Sequence, residues 1–387
     1  MLDRTTDILR DLIAFPTVSA DSNLDMIDYI AGLLDDVGAK VDLMYAPDGR
    51  KANLFATLGP LRNGGIVLSG HTDVVPVTDQ EWSSDPFVMV ERDSRLYGRG
   101  TCDMKGFIAA TLAHAPLFAK SVRNRPLHFA FTYDEEIGCF GAQHLAKAWR
   151  EKGISPSVAV IGEPTEMRII EGHKGCYEYT THFAGLPGHG SLPDNGVNAV
   201  EFAARYVSHL LTLKNQLRHR APTTSRFDPP WTTINVGAVH GGVAHNVIAP
   251  TAQVDWEMRP VQTSDAAYVK DSLQAYCETE LLPQMQAISA DATIVTDVIG
   301  EVAGLEPTQV NEALRIVAEL TGANGADVVS FGTEAGIFQN LGMDVVVCGP
   351  GSIDQAHKAD EYVALDQLAQ CSKMLQRLAS RLSKSED

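Results

Sequence analysis

Along this chain the spacing of apolar residues changes from one stretch to the next, and each change predicts an element. Ile8, Leu9, Leu12 and Ile13 fall on one helical stripe across residues 3–15. A second helix is predicted from Ser22, with Asp25 in capping-box spacing, to Gly38. Short apolar runs predict strands near 40–45, 53–58 and 66–69. A helix follows Asp103 to about Lys120, then a strand over 127–133, a helix to about Glu151 and a strand ending at Ile161. Strands alternating with helices predict an α/β fold with a mostly parallel sheet.

Near Gly175 the texture changes. Residues 176–184 alternate as a half-buried strand does, and a helix is predicted from about Asn195 to Leu217. Strands near 232–239 and 248–258 and a helix at 264–281 complete a small α+β module with helices on one face. After 292 the α/β rhythm returns, with a helix at 307–320, strands near 327–331 and 344–348, and a last helix from about 365. The expected layout is therefore one α/β domain from 1–175 and 292–387, with 176–291 inserted into it. A ligand cleft is expected between the two. The closing Lys-Ser-Glu-Asp is expected to fray.

Length agrees with two domains, since 387 residues exceed one ordinary core. The net charge of −18 argues against a nucleic-acid partner, whose phosphates require a basic face. No apolar run is long enough to span a bilayer, and no signal-peptide core stands in the first turns. The six cysteines form no C-x-x-C pair, so a reduced, cytoplasmic protein is expected.

The chemistry concentrates where strands end. Leu-Ser-Gly-His-Thr-Asp follows the apolar run 66–68 and brings His71 and Asp73 to one side of extended chain. His71 reads as a metal ligand, or as a plain surface or core histidine, and Asp73 as the partner that fixes its tautomer. Asp103 stands among Gly98, Gly100 and Gly106 at a helix start, as a helix cap or as a bridging ligand to which the glycines allow close approach. Glu135 and Glu136 follow a strand directly. They read as a solvated turn, or as a divided pair with Glu136 on a metal and Glu135 as general base. Glu163 in Gly-Glu-Pro is a turn residue or a terminal carboxylate ligand, and His357 follows Cys-Gly-Pro-Gly-Ser as an isolated histidine or a ligand. Imidazoles and carboxylates in this order suit two divalent ions that activate water and polarise a carbonyl. Cys102, beside Asp103, lacks an evident histidine–acid relay and is not read as a nucleophile.

Taken together, these motifs resemble the M20 metallopeptidase family over nearly the full chain. The resemblance implies a zinc-peptidase-like α/β domain with an inserted ferredoxin-like α+β domain that acts as a lid and homodimerises. It implies His71, Asp103 and Glu163 on one zinc and Asp103, Glu136 and His357 on the other. Cobalt or manganese would suit the same donors. Glu135 becomes the general base, Asp73 the support of His71, and Asp103-Met104 a cis peptide. In the inserted domain it makes His189 an oxyanion donor reaching a partner subunit, with Asn246 and Arg259 as contacts for a substrate carboxylate.

Within the family, Ile-Gly-Glu-Pro-Thr, Gly-Val-Asn-Ala, Gly-Pro-Gly-Ser-Ile-Asp-Gln-Ala-His and Phe-Gly-Thr-Glu-Ala resemble the subgroup that removes acetate from N2-acetyl-L-ornithine. That substrate would need an acceptor for its cationic side chain, for which Glu334 beside Thr333 is the candidate. This chain reads Gly-His-Gly-Ser where that subgroup more often has Gly-His-Ser-Ser. The alternatives are a succinyl-diaminopimelate desuccinylase, a broader N-acyl-amino-acid hydrolase, or a non-catalytic binding module on the same fold. The last is disfavoured because the base and all five ligand positions are present.

Overall fold

In the computed structural model, residues 1–384 are described; of the tail expected to fray, 385–387 lie outside them. The first unit runs Met1–Gly172 and Pro307–Val328 and resumes at Thr333. Its strands are β1 (Lys40–Tyr45), β2 (Ala52–Leu58), β3 (Ile66–His71), β4 (Leu127–Thr132), β5 (Val158–Pro164) and β6 (Ile170–His173). The second unit, His173–Glu306 with Val329–Gly332, contains β7 (Cys176–Ala184), β8 (Thr233–Gly241), β9 (Thr251–Arg259) and β10 (Thr293–Val302). β11 (Asp327–Val329) and β12 (Asp344–Gly349) return to the first sheet. The main helices are α1 (Leu2–Ile13), α2 (Leu24–Asp35), α3 (Lys105–Ser121), α4 (Phe140–Lys152), α5 (Ala199–Arg218), α6 (Thr263–Tyr276), α7 (Glu312–Thr321), α8 (Ala335–Gln339) and α9 (Leu365–Leu382).

The eight-stranded sheet has the order β1-β2-β4-β3-β5-β12-β6-β11. It is mixed. β4, β3, β5 and β12 run parallel at its centre, and antiparallel pairs flank them. Both faces are covered, which is why the central strands read as unbroken apolar runs. Leu54, Ala56 and Leu58 of β2 join the core with α1, α2, α3 and α9. Phe55, on the alternate face, packs edge-on against Trp149 of α4 at 4.9 Å, and Trp149 meets Phe338 of α8 at 5.7 Å.

The capping box expected at Ser22 does not form. The Asn23 side chain exchanges two hydrogen bonds of 2.9 Å with the backbone of Ala52, fixing the start of α2 to β2 instead. The helix stops as expected at Gly38, whose φ of 79° lets Ala39 N–H reach back to the carbonyl of Leu34.

The second unit follows the order β-α-β-β-α-β, with β8-β9-β7-β10 as an antiparallel sheet, a ferredoxin-like arrangement. β7 alternates, putting Tyr177, Tyr179 and Phe183 inward against Tyr206, Leu210 and Leu213 of α5. Here the sequence boundary moves. Thr293–Val302, assigned above to the returning α/β part, pairs along β7, so the unit extends to Glu306 rather than 291. The strand lies at the sheet edge with Val295, Val298 and Ile299 exposed, and a bulge between Val298 and Gly300 breaks its alternation. Among the described residues no helix is long and apolar enough to cross a membrane.

One buried histidine in β4 is expected to make the first unit sensitive to acid. His128 accepts or donates a 2.9 Å hydrogen bond with Thr57 and stacks on Phe55. Burial pushes it down to about 4. A histidine so depressed gives its full stability above its ordinary value near 6.5, and that stability is lost as pH falls through 6.5 towards 4. The whole interval corresponds to about 3 kcal/mol. His128→Gln is therefore expected to reduce the drop in melting temperature between pH 7 and pH 4. An unchanged drop would remove His128 from this role.

Candidate active site

The parallel centre of the first sheet brings several candidate residues to one edge, because parallel strands end together. His71 is the last residue of β3, Glu135 and Glu136 follow β4, and Glu163 lies near the end of β5. β12 ends at Gly349 and leads to the turn that carries His357. Asp103 enters from the loop before α3. There Gly100 takes a φ of +85°, and a Cβ on Gly106 would stand 2.5 Å from the carbonyl of Thr101, so both glycines shape the turn. The Asp103-Met104 peptide is cis.

All six side chains expected around the metals converge. His71 Nε2 lies 3.0 Å from Asp103 Oδ1 and 3.8 Å from Glu163 Oε1. His357 Nε2 lies 3.3 Å from Asp103 Oδ2 and 3.0 Å from Glu136 Oε2. The two oxygens of Asp103 thus face different histidines, the geometry of a bridging carboxylate. Donor atoms of His71, Glu135 and Glu163, and separately of His71, Asp103 and Glu136, lie within 4.8 Å of one another.

Asp73 does more than support His71. The imidazole Nδ1 is 2.9 Å from the Asp73 backbone carbonyl, with the carboxylate farther off at 3.6 Å. The carboxylate accepts from Ser19 Oγ at 2.7 Å and from the backbone N–H groups of Glu135 at 3.1 Å and Glu136 at 3.3 Å. It therefore orients the base candidate as well as the histidine. Ser19 had no signal in the sequence beyond being a serine in a loop.

Five carboxylates share this space with only two imidazoles, so negative groups are in excess. Burial pushes Glu135 well above the usual carboxylate range; His71 offsets part of this, and Glu136 and Asp103 push it further. Burial and the charge of Asp103 push Glu163 up likewise, and both raise Glu136. Asp103 is held below its ordinary range, because hydrogen bonds from His357 and His71 outweigh its burial. Donating to the carboxylates of Asp103 and Glu136 pushes His357 up to about 10. Glu163 Oε1 is buried with no hydrogen-bond partner among the described residues. An orphaned buried oxygen among crowded carboxylates is what a divalent cation would satisfy, so the donor set fits metal.

The substrate candidates fare differently. Glu334 is fully buried at the start of α8 and accepts from Ser69 Oγ at 2.5 Å and Thr132 Oγ1 at 2.8 Å. Both oxygens are engaged inside the sheet, so it has no free face for a substrate cation. Thr333 is also buried, and its Oγ1 accepts from Ala335 N–H at 3.1 Å. The assignment of these two as substrate contacts is corrected accordingly: Glu334 ties the start of α8 to Ser69 of β3 and Thr132 of β4, and Thr333 caps that helix start. His189, Asn246 and Arg259 belong to the second unit. His189 and Asn246 are neighbours there, with Gly190 N–H donating to the Asn246 carbonyl at 2.8 Å. Arg259 is paired with Glu257 at 2.8 Å.

A mixed α/β sheet that gathers such donors at its strand ends suits a divalent-metal hydrolase. The family model for peptidase family M20/M25/M40 matches residues 67–381, and the chain belongs to that family. The family match makes the chain a metal-dependent hydrolase acting on amides. It is 36% identical over 364 residues to an acetylornithine deacetylase of Klebsiella pneumoniae, covering 92% of each chain. It is 35% identical over 381 residues to an acetylornithine deacetylase of Edwardsiella ictaluri, covering 96% of each. Its fold is similar to aminopeptidase PepT of Bacillus cereus, with a TM-score of 0.74 at 16% identity over 99% of both chains. It is also similar to an M20 metallo-carboxypeptidase of Sulfolobus solfataricus, with a TM-score of 0.72 at 17% identity over 98% of this chain and 99% of that one.

Proposed function

We propose that this protein removes acetate from N2-acetyl-L-ornithine to give L-ornithine, a step of arginine synthesis, in the cytoplasm. The observation that carries the chemistry is Asp103, whose two oxygens face His71 and His357 at 3.0 and 3.3 Å beside Glu135. The substrate rests on the curated relatives at 35–36% identity over 92–96% of the chain.

His71, Asp103 and Glu163 would hold one divalent ion, and Asp103, Glu136 and His357 the other, with zinc the first choice from the mixed nitrogen and oxygen donors. Two such ions supply Lewis-acid activation of water and of the amide carbonyl. Glu135 takes the proton of the attacking water on a carboxylate oxygen and passes it to the leaving amine nitrogen, so that acetate and a free amine result. Asp73 keeps Glu135 in place through the Glu135 N–H.

His189 serves as the oxyanion donor. Ser191 N–H donates to its Nδ1 at 3.2 Å, which leaves the neutral ring's proton on Nε2. Asn246 and Arg259 take the substrate carboxylate, Arg259 by exchanging its partner Glu257 for a bidentate contact. The second unit is the lid, and it pairs two subunits so that His189 acts on its neighbour. Mixing His189→Ala subunits with Glu135→Ala subunits is then expected to restore activity that neither has alone; no recovery after subunit exchange rejects action in trans.

The direct test is the initial rate of zinc-loaded protein on N2-acetyl-L-ornithine, N-succinyl-diaminopimelate and N-acetyl-methionine, with and without chelator. Fastest, chelator-sensitive release of acetate from ornithine is expected. A preference for either competitor keeps the two-metal chemistry and overturns the substrate. Two bound metals with no turnover of any of the three returns the binding-module reading.

A further inference from the structure

Four residues beyond His357, Glu361 is buried in an ion pair with Arg99 at 2.7 Å, each side chain only 1% exposed. Burying two charges is costly unless their remaining hydrogen-bonding capacity is filled. For Glu361 it is filled by the backbone that presents Asp103, while Arg99 keeps its Nε buried without a partner among the described residues. Glu361 Oε2 accepts from Gly100 N–H at 3.0 Å, and Oε1 accepts from Cys102 N–H at 2.9 Å and Asp103 N–H at 3.0 Å. One carboxylate thus gathers three backbone donors of the segment ending in Asp103.

Arg99 holds the other side. Its Nη1 donates to the Lys358 carbonyl at 3.2 Å, and its Nη2 to Gln80 Oε1 at 2.6 Å. Gln80 Nε2 in turn donates to the carbonyl of His357 itself at 2.9 Å. The Trp82 ring lies under the guanidinium at 5.0 Å. The Lys358 carbonyl and the N–H groups of residues 100, 102 and 103 therefore converge on one salt bridge, and the His357 carbonyl is joined to it through Gln80. A guanidinium suits this hub because its planar fork reaches several acceptors at once.

We propose that the Arg99–Glu361 pair is the positioning element that sets Asp103 against His357, and so fixes the affinity of the metal position formed by Asp103, Glu136 and His357. This rests on the metal reading above. Neither residue touches the substrate or the reacting atoms; they act through the two loops. Groups that orient metal ligands commonly change affinity 10- to 100-fold when altered.

The experiment titrates chelated protein with Co2+, following its visible absorption, and with Zn2+ by calorimetry. Native protein is expected to take up two ions. In Glu361→Gln the amide would set N–H against N–H, and one of the two ions is expected to bind about 10- to 100-fold more weakly, with an altered Co2+ spectrum. Arg99→Lys is expected to weaken the same ion, since an ammonium cannot serve three separated acceptors. Gln80→Ala removes the arm to His357 and one acceptor of Arg99 while leaving the Arg99–Glu361 pair itself, and it keeps the test available if the buried variants fail to fold. It is expected to weaken that ion with little change in melting temperature. Arg125→Lys, at the separate Arg125–Glu312 pair, is the control expected to leave metal uptake alone. Two ions bound by every variant with native affinity and spectrum would overturn this inference and leave the function standing. Equal weakening of both ions in step with lost folded protein would overturn it as well. No metal uptake by the native protein would bring down the function and the inference together.

Discussion

Glu135→Gln is expected to lower kcat by about 10²- to 10⁴-fold on any amide the enzyme accepts, the range for loss of a general base. The carboxamide is nearly the same size and keeps the backbone N–H contact to Asp73, so the two loops should stay as they are. What is lost is the ability to accept a proton at the carboxylate. The measurement is steady-state kinetics beside metal analysis. A deep fall in kcat with two metals retained and KM little changed fits a base. Glu135 also offers an oxygen close to His71 and Glu163. If the variant instead loses a metal with its activity, Glu135 is a ligand and the base lies elsewhere. A kcat within a few-fold of native rejects both roles.

The second large effect is expected at Asp103. Asp103→Ala removes both oxygens that face His71 and His357, so neither metal position stays complete. More than about 100-fold loss of affinity is expected at both, above the range seen when only a supporting residue is changed. Stability reports it independently of activity. A ligand that binds only the folded chain at 1,000 times its Kd adds about 4 kcal/mol. Added Zn2+ should therefore raise the melting temperature of chelated native protein and leave that of Asp103→Ala unmoved. Equal thermal shifts in the two proteins would show that Asp103 does not bridge.

Most elements were legible because their signals are local. The stripe Ile8, Leu9, Leu12 and Ile13 is buried in α1, and the run before His71 is the wholly buried β3. Thr293–Val302 was missed because an edge strand with exposed Val295, Val298 and Ile299 carries no alternation to read. The candidate ligands were legible for a related reason. His71, Glu135, Glu136 and Glu163 lie at or near strand ends, and a parallel sheet aligns those ends.

What the sequence determined alone was the kind of residue available at each strand end and helix start, since period and turn chemistry act over a few neighbours. Tertiary structure decided which groups meet. Glu334 stood in Gly-Thr-Glu-Ala as a candidate acceptor for a substrate cation, yet its oxygens are taken by Ser69 and Thr132, 265 and 202 residues away. Glu361 stood unassigned beside His357, yet it holds the backbone of Asp103 from 258 residues along the chain. A buried carboxylate must find donors, and no local pattern specifies which distant segment supplies them.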